Sequence, residues 1–351
     1  MRYPCVTALA AAILLAGCAG QAGPAAVQSP AGSAAGAASA ASPSGTGAAD
    51  KVRFGINGTS TSTVLYWAAQ SAGIFARNRL DVQLLPSAGR TSLNAVIAGD
   101  LEGLALGGPA TVLIAIQHGA PLHIVAVPSD VYNVIIVAAD GINSLDQLKG
   151  KRVGGQSETA IDVTGMKRVL HDAGLEAGKD YQYVDTGAAA SGNGVVAALL
   201  AHQIDAAPLD DVTSQQALQQ KGYHVLLDMA DPRANIHSAF SVVALRDDFV
   251  QQHPDTAQRF VDSLLQGMTY MRDHKAETEQ VIKTHWKVDD PAQVDSIYNR
   301  QIELLAKDPT PTKDELADAA TYVPKGTPPI PASLVSSAID PRLAQAALKQ
   351  A

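Results

Sequence analysis

The sequence predicts an α/β protein made of two doubly wound lobes, and three observations carry that reading. From Val52 onward, short apolar runs of strand type alternate with helical runs, the pattern of a mostly parallel sheet covered by helices on both faces. The pattern restarts in mid-chain. Ala95-Val96-Ile97-Ala98-Gly99-Asp100-Leu101-Glu102-Gly103 lines up with Ala198-Leu199-Leu200-Ala201-His202-Gln203-Ile204-Asp205-Ala206. In each copy a helix ends, the chain turns at a polar pair, and a buried strand follows with an acidic second residue. After Asp231-Pro232 the chain returns to a strand at 240–245 and a long amphipathic helix, which are expected to complete the first lobe. The helix–turn–strand grammar of any α/β protein is the other explanation of the repeat.

The elements follow in order. Residues 52–56 read as a strand and 57–63 as a Gly/Ser/Thr loop. Residues 64–72 read as a helix stopped by Gly73. Residues 80–85 alternate as a strand that Pro86 ends. Residues 92–98 and 110–117 are helical, with a buried strand at 101–106 between them. Residues 122–127 and 134–138 are strand-like. In the second half, 153–154, 181–184 and 204–209 read as strands, and 161–173 and 195–201 as helices. Residues 254–272 place Phe260, Val261, Leu264, Leu265, Met268 and Met271 on one helical face, with Pro254 in the first turn. Residues 276–306 read as further helix, 308–333 as an ordered but irregular wrap, and 341–349 as a last helix.

The first 49 residues have a different character. Arg2 gives a short positive region, and 6–15 is an apolar run too short to span a bilayer. Leu15-Ala16-Gly17-Cys18 follows. This is the small-small-Cys arrangement in which a signal peptidase cleaves before a cysteine that carries a diacylglycerol and an acyl chain such as palmitate. Residues 1–17 are therefore expected to be a signal peptide and Cys18 the lipid-attachment site; an ordinary secretory signal with an incidental Cys is the alternative. Residues 19–49 are almost only Ala, Gly, Ser, Pro and Gln, and they carry no charge. Such a stretch buries too little apolar surface to offset its ordering entropy, so 18–49 is expected to be a disordered tether. The expected location is the cell envelope, anchored to a membrane by lipid. Both cysteines, Cys5 and Cys18, lie in this region, so the body holds no disulfide framework. The formal net charge is −8 and no dense Lys/Arg block occurs, which argues against nucleic acid as a partner.

Several stretches resemble the substrate-binding proteins of ABC importers that take sulfonates, nitrate, taurine or the pyrimidine precursor of thiamine. Ala72-Gly73-Ile74-Phe75 followed by Leu80-Asp81-Val82 is similar to the family's "G-(I/L)-F" turn and following strand, although Arg79 stands where the family has Gly. Ile97-Ala98-Gly99-Asp100-Leu101-Glu102 resembles its "L-x-x-G-(E/D)-(I/V)-D" step. Leu199-Leu200-Ala201-His202-Gln203-Ile204-Asp205 repeats that step with His202 in place of Gly. Ser144-Leu145-Asp146-Gln147-Leu148-Lys149-Gly150-Lys151-Arg152-Val153-Gly154 is similar to "S-x-x-D-L-K-G-K-x-V-(A/G)". The resemblance covers roughly residues 52–305. It implies a type II periplasmic-binding-protein fold with two crossover strands, expected near 138–143 and 230–238. Lobe I is then 50–140 with 237–351, and lobe II is 141–236. It also implies a cleft that closes on a small solute, and permease and ATPase subunits as partners. A monomer is expected, with no cofactor and no metal.

In open α/β sheets, ligands sit beyond the C-terminal ends of the strands, at helix N-termini. That rule selects Thr59, Ser60, Thr61 and Ser62 after the first strand, and Gly107, Gly108 and Pro109 after the third. In the second half it selects Gln156, Ser157, Glu158 and Thr159, then Asp210 and Asp211. Tyr66 and Asn133 are expected to add a stacking wall and an amide. N-capping, a tight turn and core packing are the plain alternatives for these groups. The acids Glu158, Asp210 and Asp211 argue against a bare oxyanion, whose sites favour donors, and for a heterocyclic or amine-bearing ligand. No nucleophile elbow, P-loop or dinucleotide fingerprint occurs, so no enzymatic activity is expected. The readings left are a solute-binding protein for an importer, a periplasmic ligand sensor on the same fold, and a pyrimidine-synthesis enzyme, which the export signal opposes.

Overall fold

The computed structural model describes residues 48–350, apart from 59, 88, 157, 159, 188–191, 232, 233, 235, 237, 322, 324 and 325. The expected signal peptide, Cys18, and all but the end of the expected tether lie outside the described residues. Among the described residues no helix is long and apolar enough to cross a membrane.

The first half runs β1 (Asp50–Asn57), α1 (Val64–Ser71), α2 (Ile74–Arg77), β2 (Leu80–Ser87), α3 (Gly89–Ala98), β3 (Gly103–Gly107), α4 (Pro109–Gln117) and β4 (Leu122–Ser129). The second runs β5 (Ile135–Ala139), β6 (Arg152–Gly155), α5 (Ile161–Asp172), β7 (Gln182–Asp185), α6 (Gly192–Leu200), β8 (Ala206–Leu209), α7 (Asp211–Leu218) and β9 (Tyr223–Asp228). Then come β10 (Ser241–Arg246), α8 (Asp247–Gln252), α9 (Pro254–Asp273), α10 (Lys275–Trp286), α11 (Pro291–Leu304), α12 (Lys313–Thr321), α13 (Ala332–Ser337) and α14 (Arg342–Leu348).

The strands form two sheets of one plan, in the orders β2-β1-β3-β10-β4 and β7-β6-β8-β5-β9. In each, four strands run in one direction, and the fourth position is an antiparallel strand that the chain enters straight from a passage between the sheets: β10 between β3 and β4, β5 between β8 and β9. The repeat read in the sequence is therefore architectural. Its acidic residue has one role in both copies. Glu102 accepts from the backbone N–H of Arg53 at 2.5 Å and pairs with its guanidinium at 2.7 Å. Asp205 does the same for Arg152, at 2.8 Å for each contact. Each carboxylate, just ahead of its sheet's central strand, ties that strand to the neighbouring parallel strand.

Two expected boundaries are corrected. β5 belongs to the second sheet, so the chain first changes lobe between Ser129 and Ile135, ahead of 138–143, and the expected lobe I range overruns by that strand. A uniformly apolar strand carries no mark of the sheet it will join. The second passage, between Asp228 and Ser241, brackets the expected 230–238. The stretch expected to be an irregular wrap contains α12 and runs into α13; Leu316 and Ala319 of α12 and Val335 of α13 pack into the core beside α4. The strand β9 and the helix α8 were not expected.

The turns where the family has Gly keep its backbone. Arg79 has φ 58° and His202 has φ 53°, the left-handed region that disfavours side chains. In the other copy of the repeat, Gly99 holds the position of His202 with φ 89°. Arg79→Gly should raise stability by about 0.5–1 kcal/mol, read as a higher denaturation midpoint in urea.

Lobe I buries apolar side chains on both faces of its sheet. One face is covered by α1 and α9, where Phe54, Phe260 and Phe75 form an aromatic column. The other lies under α3, α4, α12 and α13. The second sheet is likewise sandwiched, by α5 on one face and by α6 and α7 on the other.

Candidate functional site

The C-terminal ends of the parallel strands of both sheets face each other, and the loops that leave them touch. After β1, Ser60 caps a short 3-10 turn: its Oγ accepts from the Ser62 N–H at 3.3 Å and lies 2.8 Å from Ser62 Oγ. Thr61 is buried, and its hydroxyl donates across the interface to Asp211 Oδ2 at 3.2 Å. After β3, a Cβ at Gly107 would lie 3.5 Å from Ile161 Cγ2, and one at Gly108 would lie 3.3 Å from Ile161 Cβ. These glycines thus bring the backbone close to the first residue of α5 in lobe II. Gly108 has φ 92°, which leads the chain into Pro109 and α4. The lobes meet in direct contact along this line.

Of the expected residues on lobe II, Asp210 caps α7. Its Oδ1 accepts from the N–H of Val212 at 3.1 Å and of Thr213 at 2.8 Å, and from Thr213 Oγ1 at 2.7 Å. Asp211 is buried, and Gln301 Nε2 donates to its Oδ2 at 2.8 Å and to Thr61 Oγ1 at 3.1 Å. Arg300 Nε stands 3.8 Å from Asp211 Oδ1. Burial pushes the Asp211 carboxyl up to about 6, aided by the neighbouring charge of Asp210 and opposed by Asn133, Arg300 and Gln301. Glu158 pairs with Lys167 at 3.2 Å on α5, and Gln156 is partly buried at the end of β6. Thr59, Ser157 and Thr159 lie outside the described residues.

Asn133 is buried in the first crossing and accepts from Arg300 Nε at 3.0 Å. Tyr66 is a correction. It is 2% exposed, and its ring lies 5.6 Å from that of Phe54 in the core of lobe I, so it forms no wall of the cleft. It follows the loop closely in sequence, but the buried stripe of α1 turns it toward the sheet.

Four participants were not expected from the sequence: Asp162, Asp228, Arg300 and Gln301. Asp162 lies in the first turn of α5, and burial pushes its carboxyl up to about 7, with the charge of Asp210 adding to the shift. Gln301 had a signal. On α11 the buried stripe runs Val294, Ile297, Gln301, Leu304, so a lone amide occupies a position that helical periodicity assigns to an apolar side chain. Asp228 had none, because it ends a strand that was not foreseen.

Comparison with known proteins agrees with this architecture. No curated protein sequence matches the chain. The ligand-binding component of an ABC-type import system from Staphylococcus aureus, solved with zinc bound, superposes with a TM-score of 0.70 at 16% identity, over 85% of this chain and 99% of that one. The alkanesulfonate-binding protein SsuA from Xanthomonas axonopodis pv. citri, bound to MOPS, gives 0.66 at 19% identity, over 83% and 98%. The desulfurization enzyme DSZB gives 0.63 at 16%, over 86% and 99%. At these identities the likeness is one of fold, which binding proteins and an enzyme share: two lobes of the type II periplasmic-binding-protein plan joined by two crossings. The NMT1/THI5-like family model matches residues 60–278, more than half of the sequence, and the chain belongs to that family.

Proposed function

We propose that this protein captures a small polar solute between its lobes and delivers it to an ABC importer. The observation that carries the reading is the meeting of strand ends. Lobe I brings the hydroxyls of Ser60 and Ser62, and lobe II brings Gln156 and Glu158 in the loop between β6 and α5, and Asp162 and Asp210 at the starts of α5 and α7. This is where an open α/β sheet binds its ligands. Binding without chemical conversion is the reading supported by the sequence, which has no nucleophile elbow or cofactor fingerprint. The carboxylates on lobe II favour a cationic amine or a heterocycle rich in hydrogen-bond donors over a bare oxyanion. The N-terminal run ending in Leu15-Ala16-Gly17-Cys18 supports a lipid anchor at Cys18 and a place in the cell envelope, with the binding body on a tether.

A thermal-shift screen of the chain from Asp50 tests this, against amines, polyamines, pyrimidines, sulfonates, nitrate and amino-acid derivatives. A ligand at 100 times its dissociation constant stabilises its protein by about 2.7 kcal/mol, a rise of a few degrees for a body of this size. An amine or heterocycle should give the rise. Asp210→Asn keeps the helix cap, because Asn caps as well as Asp. Combined with Glu158→Gln it should weaken binding of that ligand about tenfold or more. A double variant with unchanged affinity contradicts the proposed ligand class.

A further inference from the structure

We propose that α11 is an interlobe clasp: Arg300 and Gln301, held on lobe I, grip lobe II and by themselves favour the closed arrangement of the two lobes. The proposal goes beyond solute capture and does not depend on it.

One side of α11 is part of lobe I. Val294, Ile297 and Tyr298 are buried in the core that α9 covers, and the Tyr298 hydroxyl donates to the Met271 carbonyl at 3.0 Å. The helix therefore moves with lobe I. Toward its C-terminal end, two consecutive residues reach across to lobe II. Arg300 Nη1 donates to Asp228 Oδ2 at 2.9 Å and Nη2 to Asp228 Oδ1 at 2.7 Å, a two-pronged charged contact. Its Nε donates to Asn133, where the chain enters lobe II. Gln301 donates at once to Asp211 of lobe II and Thr61 of lobe I.

The points gripped on lobe II are the end of β9 and the start of α7, separate elements, so the contacts restrain rotation as well as separation. Asp211 is only 6% exposed, so the Gln301 contact lies out of water; the Arg300–Asp228 pair is half-buried, at 15% and 36%, where removing one partner still costs more than at an open surface. The clasp comes from a helix beyond the segment, 60–278, that the family model matches.

A disulfide that forms only when the lobes touch tests the proposal. Gly107 and Ile161 lie on opposite lobes, with a Cβ at Gly107 in contact distance of the Ile161 side chain. Gly107→Cys with Ile161→Cys is introduced into the full chain, with Cys5→Ser and Cys18→Ser, and oxidised without added solute. The bond should form rapidly. Arg300→Met and Asp228→Asn, tested separately, should each slow it at least fivefold, and the two together should slow it no more than the stronger alone, because they break one contact. Arg342→Met removes an exposed pair with Asp340, outside the clasp, and should leave the rate unchanged. Equal rates with and without the Arg300 and Asp228 changes overturn the proposal. So does additive slowing in the double variant, or equal slowing by Arg342→Met. If Arg300→Met does not fold, Asp228→Asn alone decides by the same criterion.

Discussion

Phe260→Ala should lower the stability of the protein by about 3–5 kcal/mol, the range for emptying a fully buried aromatic position. Phe260 is 0% exposed. Its ring lies 4.7 Å from that of Phe54 on β1 and 6.0 Å from that of Phe75 on α2. It comes from α9, which follows the second crossing, whereas Phe54 and Phe75 come from the start of the folded chain. The column is thus the apolar seam between the two segments that build lobe I. Neighbours on a sheet and two helices cannot collapse into the space one ring leaves, so the cavity cost adds to the lost transfer energy. Chemical denaturation of the variant checks the figure; a loss under 1 kcal/mol contradicts this packing.

Asp162→Asn should stabilise the protein at pH 8 by about 1–3 kcal/mol and change it little at pH 4. In the folded chain the Asp162 carboxyl is pushed up to about 7, chiefly by burial, with the charge of Asp210 adding and the Val163 N–H opposing. In the unfolded chain it titrates near the ordinary carboxylate value, 3.8. Between those values the folded state holds the proton more tightly, so the contribution of Asp162 is full below about pH 4 and is lost as pH rises through 7. Asn cannot ionise and removes that loss. Melting curves of both proteins from pH 4 to 8 check the sign, and a difference that does not grow with pH contradicts it. A cationic ligand near Asp162 should narrow the difference, since it favours the ionised acid.

Much of the architecture was legible because the period of apolar residues decides helix or strand locally, and because the acid of the repeat, Glu102 or Asp205, has one structural duty in each lobe. What sequence could not give depended on partners far along the chain. β5 joins the second sheet only because β8 and β9 flank it. Of the residues chosen by the strand-end rule, several are engaged by protein. Asp210 is a cap, Asp211 is held by Thr61 and Gln301, and Gly107 and Gly108 lie against Ile161. Arg300 was hidden because a polar helix face looks the same whether it meets water or another lobe.

The central claim is that the solute lies between the lobes, and the Gly107→Cys, Ile161→Cys protein tests it most directly. Its binding of the ligand found by thermal shift is measured reduced and oxidised. A solute enclosed by closure of the lobes binds and leaves freely in the reduced protein. Neither uptake nor release should be measurable once the disulfide locks the lobes together. Equal association and dissociation rates in the two forms would place the ligand somewhere other than the cleft.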